Sequence, residues 1–418
     1  MSLGSRLPAT RHRDFRALWG GTACSSISLW TLLLGNAWVV FKLSNSSAWV
    51  GVATFASMSP FLLAPMGGLV ADRFERRNLV GVTRLGSLAT AAALFLLAAT
   101  NVLAVWMVIV VAFVQGVLRT VETSAEQALL ANVVPQEDLG NAVSLTTMAQ
   151  LGSRAVGPLL AGPLLATIGV EGAYAIAAAF ALFALVSVMQ VRTSSRGGVA
   201  SLGAVTENLR EGFAYVVSNR PVLAVFALMV AHCALTMSFD AMLPGFAETE
   251  LHKASGGFTL MTMGVGVGSL VGVFALSLAT STRRGPLFLA MGIASGLAPV
   301  MMGLSMDLRW AVVSTILIGS SQAVFVALAA TLLQEVIADA VRGRVMSLYL
   351  MSAGGIMAVA NLAFGALADR WGAPVLFWAP GALFVAIVAA TVLGVPDLRR
   401  TYRTGRMGMK RVAVEAVV

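Results

Sequence analysis

A chain of 418 residues would ordinarily form soluble domains, but 58% of these residues are hydrophobic and only 11% are charged, against about 25% charged in soluble domains. The net charge of +9 would fit a nucleic-acid binder if the basic residues formed a patch. They stand instead at the ends of long apolar runs, which excludes that class and points to a protein of the bilayer.

Arg6, Arg11, Arg13 and Arg16 precede a first apolar run from about Leu18 to Phe41. It has no small-residue cleavage site, so it is expected to stay as a spanning helix with the N-terminus inside. Runs from Trp49 to Val70 and from Leu79 to Leu97 follow, each close to the ~20 residues a helix needs to cross about 30 Å of hydrocarbon. Between them lies Gly68-Leu-Val-Ala-Asp72-Arg73-Phe-Glu75-Arg76-Arg77, with five charges in six residues. Three arginines in so tight a loop mark the cytoplasmic side. A fourth run starts near Val102 and ends around Arg119, Glu122 and Glu126, which share a helix face. The fifth runs from Asn141 to Thr167 and the sixth from Ala173 to Val191.

From Arg192 to Pro221 the chain turns polar, with Gly197-Gly198 and then Leu202, Val205, Leu209, Phe213, Val216 and Val217 at helical spacing. This reads as a linker carrying an amphipathic helix on the membrane face, or else as a plain flexible linker. Six more spans follow: Val222 to Leu243, Phe258 to Leu278, Pro286 to Met306, Trp310 to Ala330, Val345 to Ala368 and Val375 to Leu393. The tail holds Arg399, Arg400, Arg403, Arg406, Lys410 and Arg411. With alternate sides assigned, 21 Lys or Arg fall inside, four outside and three within spans, which supports twelve crossings with both termini cytoplasmic. The cysteines Cys24 and Cys233 lie in separate runs, so neither a disulfide framework nor a zinc site is expected.

An internal repeat sets the architecture. Leu129-Leu130, Val133, Gly140, Ser144-Leu145, Gly152, Gly162 and Gly169 recur 203 residues later as Leu332-Leu333, Val336, Gly343, Ser347-Leu348, Gly355, Gly365 and Gly372. The expected fold is all-α: two pseudo-symmetric six-helix bundles, 1–191 and 222–398, with linker 192–221 and tail 399–418.

The loop at Gly68, Asp72, Arg73, Arg76 and Arg77 resembles the loop motif of the major facilitator superfamily between its second and third helices, with Glu75 where that family has glycine. A similar string, Gly365-Ala-Leu-Ala-Asp369-Arg370-Trp-Gly372, imitates it, but the repeat pairs this string with Gly162 to Gly169 and places it outside. The second-half counterpart of the loop is Thr280 to Arg284. Gln127-Ala-Leu-Leu, Arg154-Ala-Val-Gly157-Pro158-Leu-Leu-Ala-Gly162 and Gln334-Glu335 through Arg342-Gly343-Arg344 to Ser347 are similar to the branch containing the enterobactin exporter and macrolide efflux proteins. Where many members have Pro-Ala-Arg-Gln, this chain has Ser124-Ala-Glu126-Gln127. The resemblance implies alternating access about a central cavity, with Asp72 facing the start of the eleventh span near Arg344 and Val345. It further implies that Arg73, Arg76, Arg77, Arg119 and Glu122 join Asp72 in gating. Gly157-Pro158 with Gly162 resembles the fifth-helix motif of drug-exporting antiporters and leans towards export.

Ionisable groups inside spans are candidate sites, because each costs several kcal/mol unless paired or wetted. Arg154 lies 13 residues into its span, roughly 20 Å along it, and either meets an anionic substrate or caps a neighbouring helix. His232 and Asp240 are the central titratable pair of the second half and candidates for proton coupling, or else a buried neutral His and a solvated Asp. Asn36, Gln115, Gln322 and Asn361 line a pathway or bond neighbouring helices. Trp30, Trp38 and Phe41 offer stacking surfaces. The glycines Gly264, Gly266, Gly268 and Gly272 read as packing, since no phosphate-binding Lys-Ser or Lys-Thr follows them. No hydrolase or zinc-protease signature is present, so an enzyme is not expected.

The resulting expectation is a proton-coupled secondary exporter of a small amphipathic compound. It would sit as a monomer in the cell membrane, without cofactor or nucleic acid. A non-transporting sensor on the same fold, or an importer, is the alternative.

Overall fold

Residues 8–195, 202–277 and 284–404 are described by a computed structural model of the chain, and every regular element among them is helical. The first helix, α1 (Arg13–Ser44), stops where Asn45 turns left-handed and its N–H bonds Phe41 O. The next apolar run is broken. A helix α2 (Ser47–Met58), a tight turn (Ser59–Leu63) and α3 (Ala64–Arg73) share it, because Pro60 and Pro65 withhold the amide donors a continuous helix needs. Then come α4 (Arg76–Ala99), α5 (Val105–Val133), α6 (Leu139–Thr167) and α7 (Val170–Met189).

The linker helix is present as α8 (Leu202–Ser218), and α9 (Arg220–Leu235) leaves it at an angle of 106°. Val216 is buried, whereas Phe213 and Val217 are exposed. Gly197-Gly198 and the side chains of Leu202 and Val205 lie outside the described residues.

The seventh span does not run to Leu243 as expected. Its helix ends at Leu235, where hydroxyls capture the backbone: Thr236 Oγ1 donates to His232 O and Ser238 Oγ to Cys233 O. An irregular stretch leads to the short helical turns Leu243–Gly245 and Phe246–Glu250. The rest is α10 (Ala254–Ser277), α11 (Arg284–Gly303), α12 (Leu308–Val336), α13 (Asp339–Trp371), α14 (Ala373–Gly394) and α15 (Pro396–Thr404). The eleventh expected span thus starts at Asp339, before Arg344. Most of the Thr280 to Arg284 counterpart lies outside the described residues; Arg284 pairs with Glu335 at 2.8 Å.

Among the described residues, nine helices are long and apolar enough to cross a bilayer. The other expected spans are the proline-broken α2–α3, the shortened α9, and α6, whose 29 residues are diluted by Asn141, Gln150, Arg154 and several hydroxyls.

The buried core is partitioned. At the end bearing the Asp72 loop and α15, called here the terminal face, two clusters each draw on one part of the chain only. One uses Phe15, Leu129 and Val188; the other uses Phe288, Leu333 and Tyr402. At the far end one cluster takes Leu34, Trp38 and Leu165 together with Phe246, Phe258 and Phe377, and another sets Ala241 among Val40, Phe41 and Tyr174. The two parts also touch along α2 with α13 and α6 with α10. The α6–α10 seam is closest near the far end. A Cβ at Gly162 would collide with Thr259, and one at Gly266 would stand 2.5 Å from Ala155 N, whereas at Gly152 the nearest group is a Leu270 methyl 3.8 Å away.

Candidate functional site

Where the two parts meet, the break after α9 exposes backbone that must find partners in a dry setting. Gln322 Nε2 of α12 donates to Thr236 O at 2.6 Å, and Asn361 Oδ1 of α13 accepts from Ala241 N at 3.2 Å. Held this way, the irregular stretch presents Asp240 to α6, where Arg154 Nη2 lies 3.6 Å from its carboxylate. Gly157, one turn on, lets α1 approach so closely that a Cβ there would sit 2.9 Å from Trp30 Cβ. The Trp30 ring accordingly lies 4.7 Å from the Arg154 guanidinium carbon, within cation–π range. A pair at 3.6 Å is longer than a charge-assisted hydrogen bond of about 2.7–2.9 Å. The guanidinium is therefore held by an aromatic face and a loose carboxylate, an arrangement that can exchange Asp240 for an anionic group.

A second charged cluster is enclosed in residues 21–184. Arg84 of α4, 1% exposed, donates Nε to Glu122 at 3.1 Å, Nη2 to Glu126 at 2.8 Å and Nη1 to Ala184 O at 3.0 Å. Ser25 of α1 donates to Glu122 at 3.0 Å and Thr22 donates to Glu126. Arg119 stands 3.9 Å from Glu122 beside a recess of ≈ 20 Å³ whose mostly apolar wall carries Ser25, Ser28, Ser87 and Gln115, room for about one water.

The far end carries a third constellation. Asp369 of α13 accepts from Ser46 Oγ at 2.5 Å and from the Ser47 and Ala48 amides at 2.7 and 3.1 Å. It thus caps the N-terminus of α2, where the helix dipole favours a negative charge. Lys42 pairs with Glu248 at 3.2 Å, and Trp38 stacks on Phe258 with centroids 6.0 Å apart.

Several expected site residues stand elsewhere. His232 and Asp240 do not form a pair: His232 is fully buried against Phe325 and Phe384, at 4.5 and 5.2 Å, and neither ring nitrogen has a partner among the described residues. Asn36 accepts from Tyr174 Oη at 2.9 Å and Gln115 donates to Thr90 at 3.2 Å. Asn361 is fully buried and bonds the α9 break and Met357 O. These amides are spent within the protein, not on an open cavity. Glu122 belongs to the Arg84 cluster and not to a seam between the two parts. Arg76 donates to Ser195 Oγ at 3.0 Å and Arg77 to Met189 O at 3.3 Å, so both tie the loop to the exit of α7. Arg73 is exposed, Arg344 pairs with Glu211 of α8, and the Asp72 side chain lies outside the described residues.

Sequence reasoning missed Arg84 and Asp369. The available signal for the first was no more than an arginine inside an apolar run, Leu79 to Leu97.

The sequence profile of a family described as transmembrane secretion effector matches residues 5–418. The chain belongs to this family. Macrolide efflux protein A of Streptococcus pyogenes is 26% identical, over 89% of this chain and 94% of the relative. The enterobactin exporter of Citrobacter koseri is 26% identical over 81% of each chain. Among solved structures, the peptide transporter POT in complex with sulfate aligns with a TM-score of 0.74 at 13% identity, covering 93% of this chain and 95% of that one. A POT family transporter in complex with 5-aminolevulinic acid gives 0.72 at 11% identity, covering 93% and 97%. Those identities speak for the fold alone, and the fold is that of major facilitator transporters. The protein is thus a multi-pass membrane transporter and not an enzyme. Glu126, where the resemblance led to the expectation of an arginine, is paired locally by Arg84.

Proposed function

We propose that this transporter is a proton-coupled exporter of a small amphipathic compound bearing an anionic or aromatic group. It would work by alternating access between two six-helix halves, 1–191 and 222–398, of twelve crossings in all. The observation that carries the reading is the Arg154–Trp30–Asp240 arrangement, which draws on both halves next to the closed far end. With both termini in the cytoplasm, as the placement of Lys and Arg favours, far-end closure corresponds to an inward-facing state. Cargo then enters from the cytoplasm and displaces Asp240 from Arg154; the freed carboxylate, in a water-poor site, can take a proton when the halves rock. Asp72 and Arg73 engage the α13 start in the opposite state. The names of the relatives support the efflux direction.

The test is flux of a macrolide and of a catecholate siderophore in proteoliposomes, with and without an imposed pH gradient. Asp240→Asn is expected to transport without responding to the gradient. His232→Ala keeps the coupling, because the dry aromatic pocket offers that ring no proton path. Gradient-independent flux in the unmodified protein would overturn the coupling, and full activity of Arg154→Gln would remove the site.

A further inference from the structure

The final helix does not hang free. On α15, Leu398, Thr401 and Tyr402 are buried at three- and four-residue spacing, Tyr402 Oη meets Thr391 Oγ1 at 3.0 Å, and its ring lies 5.7 Å from that of Phe288. The opposite face carries Arg399, Arg400 and Arg403, all exposed. Arg399 donates Nε and Nη2 to the α14 carbonyls of Val392 and Leu393, both at 2.9 Å. That fixes the arginine row at the level where α14 leaves the apolar layer, next to Leu393, which is 77% exposed.

Between α11 and α15 runs a groove of ≈ 630 Å³ walled by Leu289, Ala290, Ile293 and Val392 and rimmed by Arg399 and Arg403. A further opening on the other side of the helix is lined by Arg399, Arg400 and Arg403. Among the described residues neither Arg399 nor Arg403 forms an ion pair. The wall suits hydrocarbon and the rim suits a negative headgroup; a soluble anion would use only the rim. We propose that this groove binds an anionic phospholipid of the surrounding bilayer, its phosphate held by Arg399 and Arg403 and an acyl chain lying along α11.

The full-length protein is reconstituted in nanodiscs of phosphatidylcholine with or without phosphatidylglycerol, and retained lipid is counted by native mass spectrometry beside thermal unfolding. The unmodified protein should retain phosphatidylglycerol with a roughly tenfold preference and unfold at higher temperature in its presence. Arg403→Gln, which spares the Arg399 contacts to α14, should lose most of both effects, and Arg403→Lys should keep most of the preference. Ile293→Trp, narrowing the groove with the charges intact, should lower retention as well. An unchanged preference in Arg403→Gln or in Ile293→Trp overturns the proposal, as does equal stabilisation by inorganic phosphate in phosphatidylcholine discs. Should Arg403→Gln fail to fold, Ile293→Trp decides alone.

Discussion

Arg154 and Arg84 are both arginines deep within helices, and their surroundings differ. Arg154 is partly open, with an indole on one side and a carboxylate at 3.6 Å on the other. Arg154→Lys keeps the charge but loses the planar stack and fork, so flux should fall by about tenfold, against complete loss in Arg154→Gln. Arg84 is enclosed with two carboxylates. Arg84→Met strands both, and breaking such a buried pair costs about 3–5 kcal/mol; in detergent the unfolding temperature should drop sharply. Restoring balance in Arg84→Met/Glu122→Gln/Glu126→Gln should recover most of it, and an unshifted single variant would show that the cluster does not hold α1, α4 and α5 together. Arg154 was legible in the sequence because it sits deep in a recognisable motif. Arg84 was not, because its partners lie 38 and 42 residues away and an apolar run around one arginine looks the same whether or not acids face it.

At the scale of elements, the positions of spans and linker helix could be read from run length, while the breaks could not. Apolar character continues through Pro60 and across 236–242, and it reports burial, not helical continuity. Asp369 was read as part of an imitation of the loop motif; in the structure it caps α2 from the other part of the chain. Asp369→Asn removes that negative charge, and the far end should open more often. Spin labels at Leu43→Cys and Met306→Cys, both exposed at the far end, should then show a larger long-distance population; an unchanged distribution would remove the cap from the gate.

The terminal face has a pH-sensitive tie of its own. Burial pushes the Asp14 carboxyl up, but the Thr193 hydroxyl and the Thr193 and Arg192 amides outweigh it and hold it below the ordinary range. A lowered carboxyl contributes stability that is complete above its unfolded value of about 3.9 and lost as pH falls through the folded one. The Arg192 and Thr193 amides should stay protected from exchange at neutral pH and down to about pH 4, then lose protection below; Asp14→Asn should remove it throughout.

For the whole molecule, members of the 203-residue repeat stand at matching contacts. Gly162 and its repeat mate Gly365 both face the other part of the chain, against Thr259 and Ser47, and Gly152 and Gly355 do so against Leu270 and Leu62. A larger residue at Gly162 or Gly365 should hold the far end apart, and Gly365→Val is expected to move the Leu43–Met306 label distances in the same direction as Asp369→Asn.

The α10 glycines carry this further. Gly264, Gly268 and Gly272 press on Thr315, Ile316 and Ser320 of α12, while Gly266, on the opposite side of the same helix, rests on the α6 backbone. One flank is packed on its own neighbour and the other lies on bare main chain, so in the proposed cycle α10 would serve as a bearing. Bearings are indifferent to freight: because Gly266 meets only the main chain of Arg154 and Ala155, side chains of the proposed site could be recut for a new cargo without touching that surface.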